Sequence, residues 1–205
     1  GVFNWAFDAF TEATLEYDII GASYYPYWHG TLTALQNNLD ALSDKYNKEV
    51  IVVETAYGYT LENGPDGGGN IFGADSANSS GFSATVQGQA TAMREVMNVV
   101  SKVPNGKGTG FFYWEPTWLA VGDTGWVTGQ KNAWENQAMF GFKGNVLDSL
   151  DVFWKVSETN QLQEPTALSA TYIVLTVEQG VDFSLPSQVS VLFSDDSYRE
   201  VDIDW

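Results

Sequence analysis

The spacing of apolar residues in the first three quarters of the chain switches between two periods. Helical spacing predicts helices over residues 3–16, 32–46, 82–103 and 146–156, and short β-branched or aromatic runs predict strands over 17–25, 48–55 and 110–115. The predicted order is therefore α, β, α, β, α, β, α. Strands that alternate with helices in this way indicate a parallel sheet covered by helices.

The longest polar loops follow strands and not helices, at residues 57–81 and 116–145. This asymmetry is typical of a (β/α)8 barrel, which carries its functional loops at the carboxyl ends of its strands. A closed barrel needs about eight strands, and only three are predicted. We therefore expect an α/β fold that is the second part of such a barrel.

The pattern changes near the end of the chain. Residues 157–166 are predicted to be a linker, and short β-type runs follow at 167–177, 188–193 and 199–205, with a hairpin turn over 194–197. These strands are too few for a complete sandwich. The expected domains are a barrel portion over 1–156, the linker, and a partial all-β module over 167–205.

Charge and composition narrow the choice of partner. The formal net charge is −17, from 26 acidic and 9 basic residues, and no cluster of Lys or Arg occurs. Nucleic acid and anionic membranes are therefore not expected partners, because both bind through basic residues. Eight Trp and ten Tyr on an acidic background suit a neutral carbohydrate, although many of these rings are also expected in the core.

Glu54 is the first candidate for chemistry. It follows the β-branched run 51–53, which is typical of a strand buried on both faces. A carboxylate at the carboxyl end of such a strand lies where barrels place their catalytic groups. The alternative is a carboxylate that only caps the following turn.

The chain has one His and no Cys, so thiolate chemistry and disulfides are excluded.

Three segments carry a specific family resemblance: residues 18–30 (DIIGASYYPYWHG), 52–57 (VVETAY) and 112–118 (FYWEPTW). Their order and spacing resemble glycoside hydrolase family 53, the arabinogalactan endo-β-1,4-galactanases, over about residues 1–156. Residues 167–205 resemble the start of a bacterial Ig-like domain of group 4. The resemblance implies that the three strands are about the sixth to eighth of a (β/α)8 barrel.

The same resemblance implies a retaining glycosidase in which Glu54 is the nucleophile. The acid/base Glu of the family lies on the fourth strand, which these segments do not include. The implied partners are a galactan polysaccharide and the N-terminal half of the barrel, in the same protein or a companion chain. A secreted or cell-surface bacterial protein is expected. Without that half, we expect the 205 residues to be inactive by themselves.

Several residues near the three strand ends are candidates for binding sugar. A tyrosine hydroxyl from Tyr24 or Tyr25 could donate to Glu54 and favour its ionised form. The other candidates are Trp28, His29, Trp114, Glu115 and Trp118, with Trp126 and Trp134 further along the loop over 116–145. Each has a structural alternative, as a core residue or as an anchor of its loop.

The loop over residues 62–70 is acidic and rich in glycine. Asp66 and Asn70 are candidate ligands of a structural calcium ion, which takes oxygen ligands, although an Asp-x-Asp spacing is missing. No cofactor is required for the chemistry. Two other functions stay open: a non-catalytic carbohydrate-binding or adhesion protein, and a related barrel glycosidase for another β-linked glycan.

Overall fold

A computed structural model describes residues 2–65, 67–159, 167–170, 186–193 and 198–203. The chain divides into two compact units, residues 1–150 and 151–205. The first unit contains α1 (Val2–Glu12), β1 (Ile19–Ser23), α2 (Leu32–Tyr46), β2 (Glu49–Thr55), α3 (Ala74–Ser80), α4 (Val86–Ser101) and β3 (Gly108–Tyr113). The second contains α5 (Asp151–Thr159), β4 (Ala167–Ala170), β5 (Gln188–Phe193) and β6 (Tyr198–Asp202).

The first unit is built on a parallel sheet with the strand order β1-β2-β3. One face of this sheet packs against α2 and α4. Its core consists mainly of aliphatic side chains from the three strands and the two helices, including Ile20, Ala22, Leu35, Leu39, Leu42, Val50, Val52, Val96, Val99 and Val100. On the opposite face, Ile19 and Val53 remain exposed. This two-faced pattern follows from the alternation of side chains along a strand.

Both long helices begin at a threonine cap. The Thr31 hydroxyl accepts a hydrogen bond from the Ala34 N–H at 3.2 Å, and the Thr85 hydroxyl accepts one from the Gly88 N–H at 2.9 Å. Each cap satisfies an N–H group that the first helical turn leaves without a partner. Thr31 stands directly before the apolar positions of α2, where a cap is expected, whereas the helix predicted from residue 82 begins only at Val86.

Three other helices differ from the prediction. The helix predicted over 146–156 runs from Asp151 to Thr159, so its end occupies the first residues of the predicted linker. The first helix, α1, ends at Glu12 and not at residue 16, and Thr14 then adopts a left-handed conformation with φ of 53°. The loop predicted over 57–81 contains the short helix α3, whose residues include none that is fully buried. Its sequence, ADSANSS, has no apolar periodicity that could have predicted it.

The second unit contains an antiparallel sheet in the order β4-β5-β6. The strands predicted near residues 167, 188 and 199 are therefore present. The predicted hairpin turn at 194–197, the linker residues 160–166 and the strand residues 171–177 lie outside the described residues. Among the helices that the structure describes, none combines the length and the apolar character needed to cross a bilayer.

Candidate active site

An extra residue in β2 sets the orientation of Glu54. Across the β1–β2 pair, Ala22 lies opposite Val52 but Ser23 lies opposite Glu54, so β2 advances two residues while β1 advances one. Against β3, β2 advances three residues from Val52 to Thr55 while β3 advances two, after a shift of the opposite sense between Val50 and Val52. Regular alternation would place Glu54 on the helix side with Val52; a bulge re-aims a side chain in this way, often beside an active site.

Glu54 is half-buried and accepts a hydrogen bond from the next strand end. The Tyr25 hydroxyl donates to Glu54 Oε2 at 3.1 Å. Burial raises the pKa of the Tyr25 hydroxyl, and the nearby Glu54 carboxylate raises it further. Tyr25 is therefore a neutral donor at ordinary pH, and its hydroxyl orients the Glu54 carboxylate.

The neighbouring residues Tyr24 and His29 have different surroundings. Tyr24 is buried in the core on the helix side, and its hydroxyl donates to the Gly30 carbonyl at 2.9 Å, away from Glu54. Exposed His29 accepts a hydrogen bond at Nδ1 from the Tyr25 N–H at 3.1 Å. His29 thus supports the backbone of Tyr25, and its Nε2 is left to face solvent or a ligand.

Tyr25, Trp28 and Trp134 form an aromatic wall beside Glu54. The Tyr25 ring meets Trp28 at 5.2 Å and Trp134 at 5.8 Å between centroids, both edge to face. Trp28 is 52% exposed, whereas Trp134 is 2% exposed. Trp126 continues the row from Trp134 at 6.1 Å and meets Trp118 at 4.4 Å. Half-exposed indole rings in such a row suit contact with the apolar faces of sugars.

Trp114 and Glu115 follow β3 directly. The Trp114 N–H donates to the Thr55 carbonyl at 2.8 Å, which holds the ends of β2 and β3 together. Glu115 is exposed and has a φ of 53°, a left-handed conformation that is uncommon for a residue with a side chain. Such residues often occur at functional sites.

The loop after β3 contains a fully buried segment, Trp134–Gln137, of which only Trp134 was predicted as a candidate from the sequence. Its four residues are each at most 2% exposed although three are polar. The Glu135 carboxylate accepts from the Gly64 N–H. The Asn136 amide donates to the carbonyls of Thr60 at 2.8 Å and Phe72 at 3.0 Å. This segment therefore ties down the loop that follows β2.

Gln137 makes the corresponding connection to the other two strand ends. Its side-chain oxygen accepts from the Tyr27 hydroxyl at 2.5 Å, and its carbonyl accepts from the Tyr113 hydroxyl at 2.7 Å. Gln89 of α4, fully buried, donates to the carbonyls of Tyr57 at 2.8 Å and Ala138 at 3.1 Å. Three strand ends and one helix thus meet through buried hydrogen bonds.

The predicted calcium ligands are only partly described. Asp66 lies outside the described residues. The Asn70 amide donates to the Glu62 carbonyl at 2.8 Å, and its buried oxygen has no hydrogen-bond partner in the described part of the chain. An amide oxygen of this kind fits a calcium ion. Over the described residues, no group of three His, Asp or Glu side chains is placed to hold a metal. Calcium binding stays a prediction.

The parallel sheet with helices between its strands and a carboxylate at the strand ends is the arrangement of a (β/α)8-barrel glycosidase, and the family match identifies it as the C-terminal part of one. Residues 1–153 match the model of glycosyl hydrolase family 53, so the chain belongs to this family. Residues 170–205 match the model of the bacterial Ig-like domain, group 4. The predicted fold, a barrel portion followed by part of an Ig-like module, is confirmed.

Curated relatives and a solved structure agree with the assignment to this family. The endo-beta-1,4-galactanase of Bacillus subtilis (strain 168) is 36% identical over 75% of this chain and 42% of its own length. The arabinogalactan endo-beta-1,4-galactanase of Thermothelomyces thermophilus is 33% identical over 76% and 44%, respectively. The solved Ignisphaera aggregans GH53 catalytic domain has a TM-score of 0.70 and 41% identity, over 74% of this chain and 42% of that one. The chain spans less than half the length of these relatives.

Proposed function

We propose that this chain supplies part of the active site of an endo-acting glycosidase that cleaves β-1,4-galactan. The observation that carries the proposal is the Tyr25–Glu54 hydrogen bond at the carboxyl ends of two parallel strands. Family membership and the names of the galactanase relatives support galactan as the substrate.

In the proposed mechanism Glu54 is the nucleophile of a retaining reaction. Its carboxylate attacks the anomeric carbon, a second carboxylic acid protonates the leaving oxygen, and water then hydrolyses the glycosyl ester with that second group acting as base. The two carboxyl groups of such enzymes are roughly 5–5.5 Å apart. Tyr25 orients Glu54 before the attack through its hydrogen bond to Oε2.

The second carboxyl group is proposed to come from the N-terminal half of the barrel. That half is the main protein partner in this proposal, joined covalently or as a companion chain. The exposed apolar residues Ile19, Val53 and Phe112 on β1–β3 support it, because a closed barrel buries this side of its sheet. The aromatic wall, with Trp114, Glu115 and Trp118, is proposed to bind galactosyl units.

Location and metal dependence complete the proposal. Galactan in plant pectin is a polymer outside the cell, so a secreted or cell-surface bacterial protein is the expected form. No cofactor is required by a reaction carried by two carboxyl groups. A calcium ion at Asp66 and Asn70 would have a structural role only.

The test is hydrolysis of linear β-1,4-galactan by the assembled barrel, with Glu54→Gln as the paired variant. Cleavage that disappears in Glu54→Gln supports the proposal. An inactive assembly that still binds galactan would instead favour a carbohydrate-binding protein. Activity on a different β-linked glycan alone would favour a related glycosidase, and full activity of the isolated 205 residues would contradict the need for the N-terminal half.

A further inference from the structure

We infer that Gln137, through its hydrogen bond with Tyr27, is a positioning residue that sets the aromatic wall and thereby the alignment of Tyr25 with Glu54. This inference rests on the proposed function. It assigns a role to two residues that do not contact Glu54. The argument follows a chain of contacts from Gln137 to the Glu54 carboxylate.

The first link joins two strand ends that are distant in sequence. The hydrogen bond from the Tyr27 hydroxyl to Gln137 Oε1 is buried, measures 2.5 Å and spans 110 residues. Tyr27 is 7% exposed and Gln137 is fully buried. Water therefore has little access to replace this bond, and a buried acceptor that loses its donor is left unsatisfied.

The second link leads from Gln137 to Trp134. These residues bound one tight turn, in which the Gln137 N–H donates to the Trp134 carbonyl at 2.9 Å. The carbonyl of Gln137 is held separately by the Tyr113 hydroxyl at 2.7 Å. A displacement of Gln137 must therefore move the turn and the Trp134 ring with it.

The third link is the packing of the rings. Trp134 meets the edge of Tyr25 at 5.8 Å, and Tyr27 lies 5.8 Å from the same ring and 4.8 Å from Trp28. Tyr25 is thus enclosed by Tyr27, Trp28 and Trp134 while its hydroxyl reaches Glu54. The Tyr27–Gln137 bond fastens two of the three rings around Tyr25 to each other.

The test uses the assembled barrel and two substitutions. Tyr27→Phe removes only the hydroxyl, and Gln137→Leu replaces the amide by an apolar group of similar size. Displacement of a positioned group lowers kcat, and we expect a loss of about tenfold with little change in KM for either variant. The pair acts through one bond, so the double variant should lose no more than each single variant.

The free energy of unfolding distinguishes a positioning role of the Tyr27–Gln137 bond from a purely structural one. Tyr27→Phe leaves a buried acceptor unsatisfied, whereas the double variant removes both partners, so the double variant should regain stability toward wild type. Its kcat should remain about tenfold below wild type, because the Tyr27–Gln137 hydrogen bond is still absent. A kcat that recovers together with stability would overturn the inference.

A second measurement does not depend on catalysis. In the assembled barrel labelled at its Trp indole nitrogens, Tyr27→Phe should shift the Trp134 resonance and increase its hydrogen exchange, while exposed Trp5 stays unchanged. An unaltered Trp134 signal would overturn the inference even if the protein binds galactan without cleaving it. Loss of activity in Glu54→Gln, with wild-type activity present, checks the proposed function separately.

Discussion

The Tyr25 hydroxyl donates to Oε2 of Glu54 at 3.1 Å, joining the ends of β1 and β2 through their side chains. The two residues are 29 positions apart and reach each other because parallel strands end at the same edge of the sheet. Val50 and Val52 face the helices, and regular alternation would place Glu54 on the same side. The bulge in β2 turns Glu54 away from the helices. The adjacency of β1 and β2 and the extra residue in β2 together bring Tyr25 and Glu54 into contact.

Tyr25→Phe should lower kcat/KM of the assembled barrel on galactan by about ten- to a hundredfold, since hydrogen bonds to charged groups contribute about 1.5–3 kcal/mol. Tyr46→Phe is the matched control, because the Tyr46 hydroxyl also donates to a carboxylate, Asp8 Oδ1 at 2.8 Å, but on the helix layer. Steady-state kinetics measure both. Equal losses in the two variants would contradict a specific role for Tyr25.

Asn136→Ala should reduce the free energy of unfolding of this chain by about 2–3 kcal/mol. It leaves the buried carbonyl of Phe72 and the partly buried carbonyl of Thr60 without their donor, and each buried unsatisfied group costs about 1–3 kcal/mol. Urea unfolding gives the value. Asn38→Ala, at an exposed position of α2, is the control and should change stability by less than about 0.5 kcal/mol. Similar effects of the two substitutions would show that the Asn136 hydrogen bonds do not stabilise the loop that follows β2.

Gly64→Ala should also destabilise the chain. A Cβ at residue 64 would meet the Glu135 carboxyl group, which is buried and bonded to the Gly64 N–H. Relief requires the buried carboxylate to move, at a cost of about 1–3 kcal/mol, the range found for overpacking. Thermal unfolding compares it with Gly122→Ala, whose Cβ would meet no atom within 4 Å. A stable Gly64→Ala protein would show that the segment adapts.

Alkaline pH should unfold the chain through its buried tyrosines. Burial raises the pKa of Tyr24, Tyr57 and Tyr59 to about 12. The unfolded chain releases these protons near pH 10, roughly the ordinary pKa of tyrosine, so stability is fully present below about pH 10 and decreases as pH rises toward 12.

Urea midpoints measured over this alkaline range give the slope. Tyr24→Phe removes one of the titrating groups and should make the slope shallower than in wild type. An identical slope in wild type and Tyr24→Phe would show that Tyr24 does not titrate differently in the two states.

The sequence predicts the parts of the fold that depend on periodic burial. The run 51–53 and the leucines of α2 have the spacing of a buried strand and of an amphipathic helix, and both elements are present. Thr31 precedes the first apolar position of its helix, which is where a cap is expected. Local patterns of this kind specify each element without reference to distant residues.

The parts that were missed depend on contacts between distant residues. The sequence around Val53 and Glu54 does not indicate a bulge. The extra residue can be recognised only from the pairing of β2 with its neighbouring strands. Glu135, Asn136 and Gln137 have the composition of an exposed loop, yet they are buried by partners 71, 76 and 110 residues away. The only local signal is their position between Trp134 and the apolar residues that follow.

The hydrogen bond between Tyr27 and Gln137 has a consequence for folding kinetics. Its partners are 110 residues apart, so the entropy of closing that loop must be lost before the bond can form. The helices and the strand pairs, which need shorter closures, should therefore assemble first. Interactions formed after the transition state change the unfolding rate and barely affect refolding. Substitutions at this bond should accordingly shorten the lifetime of the finished site without slowing its formation.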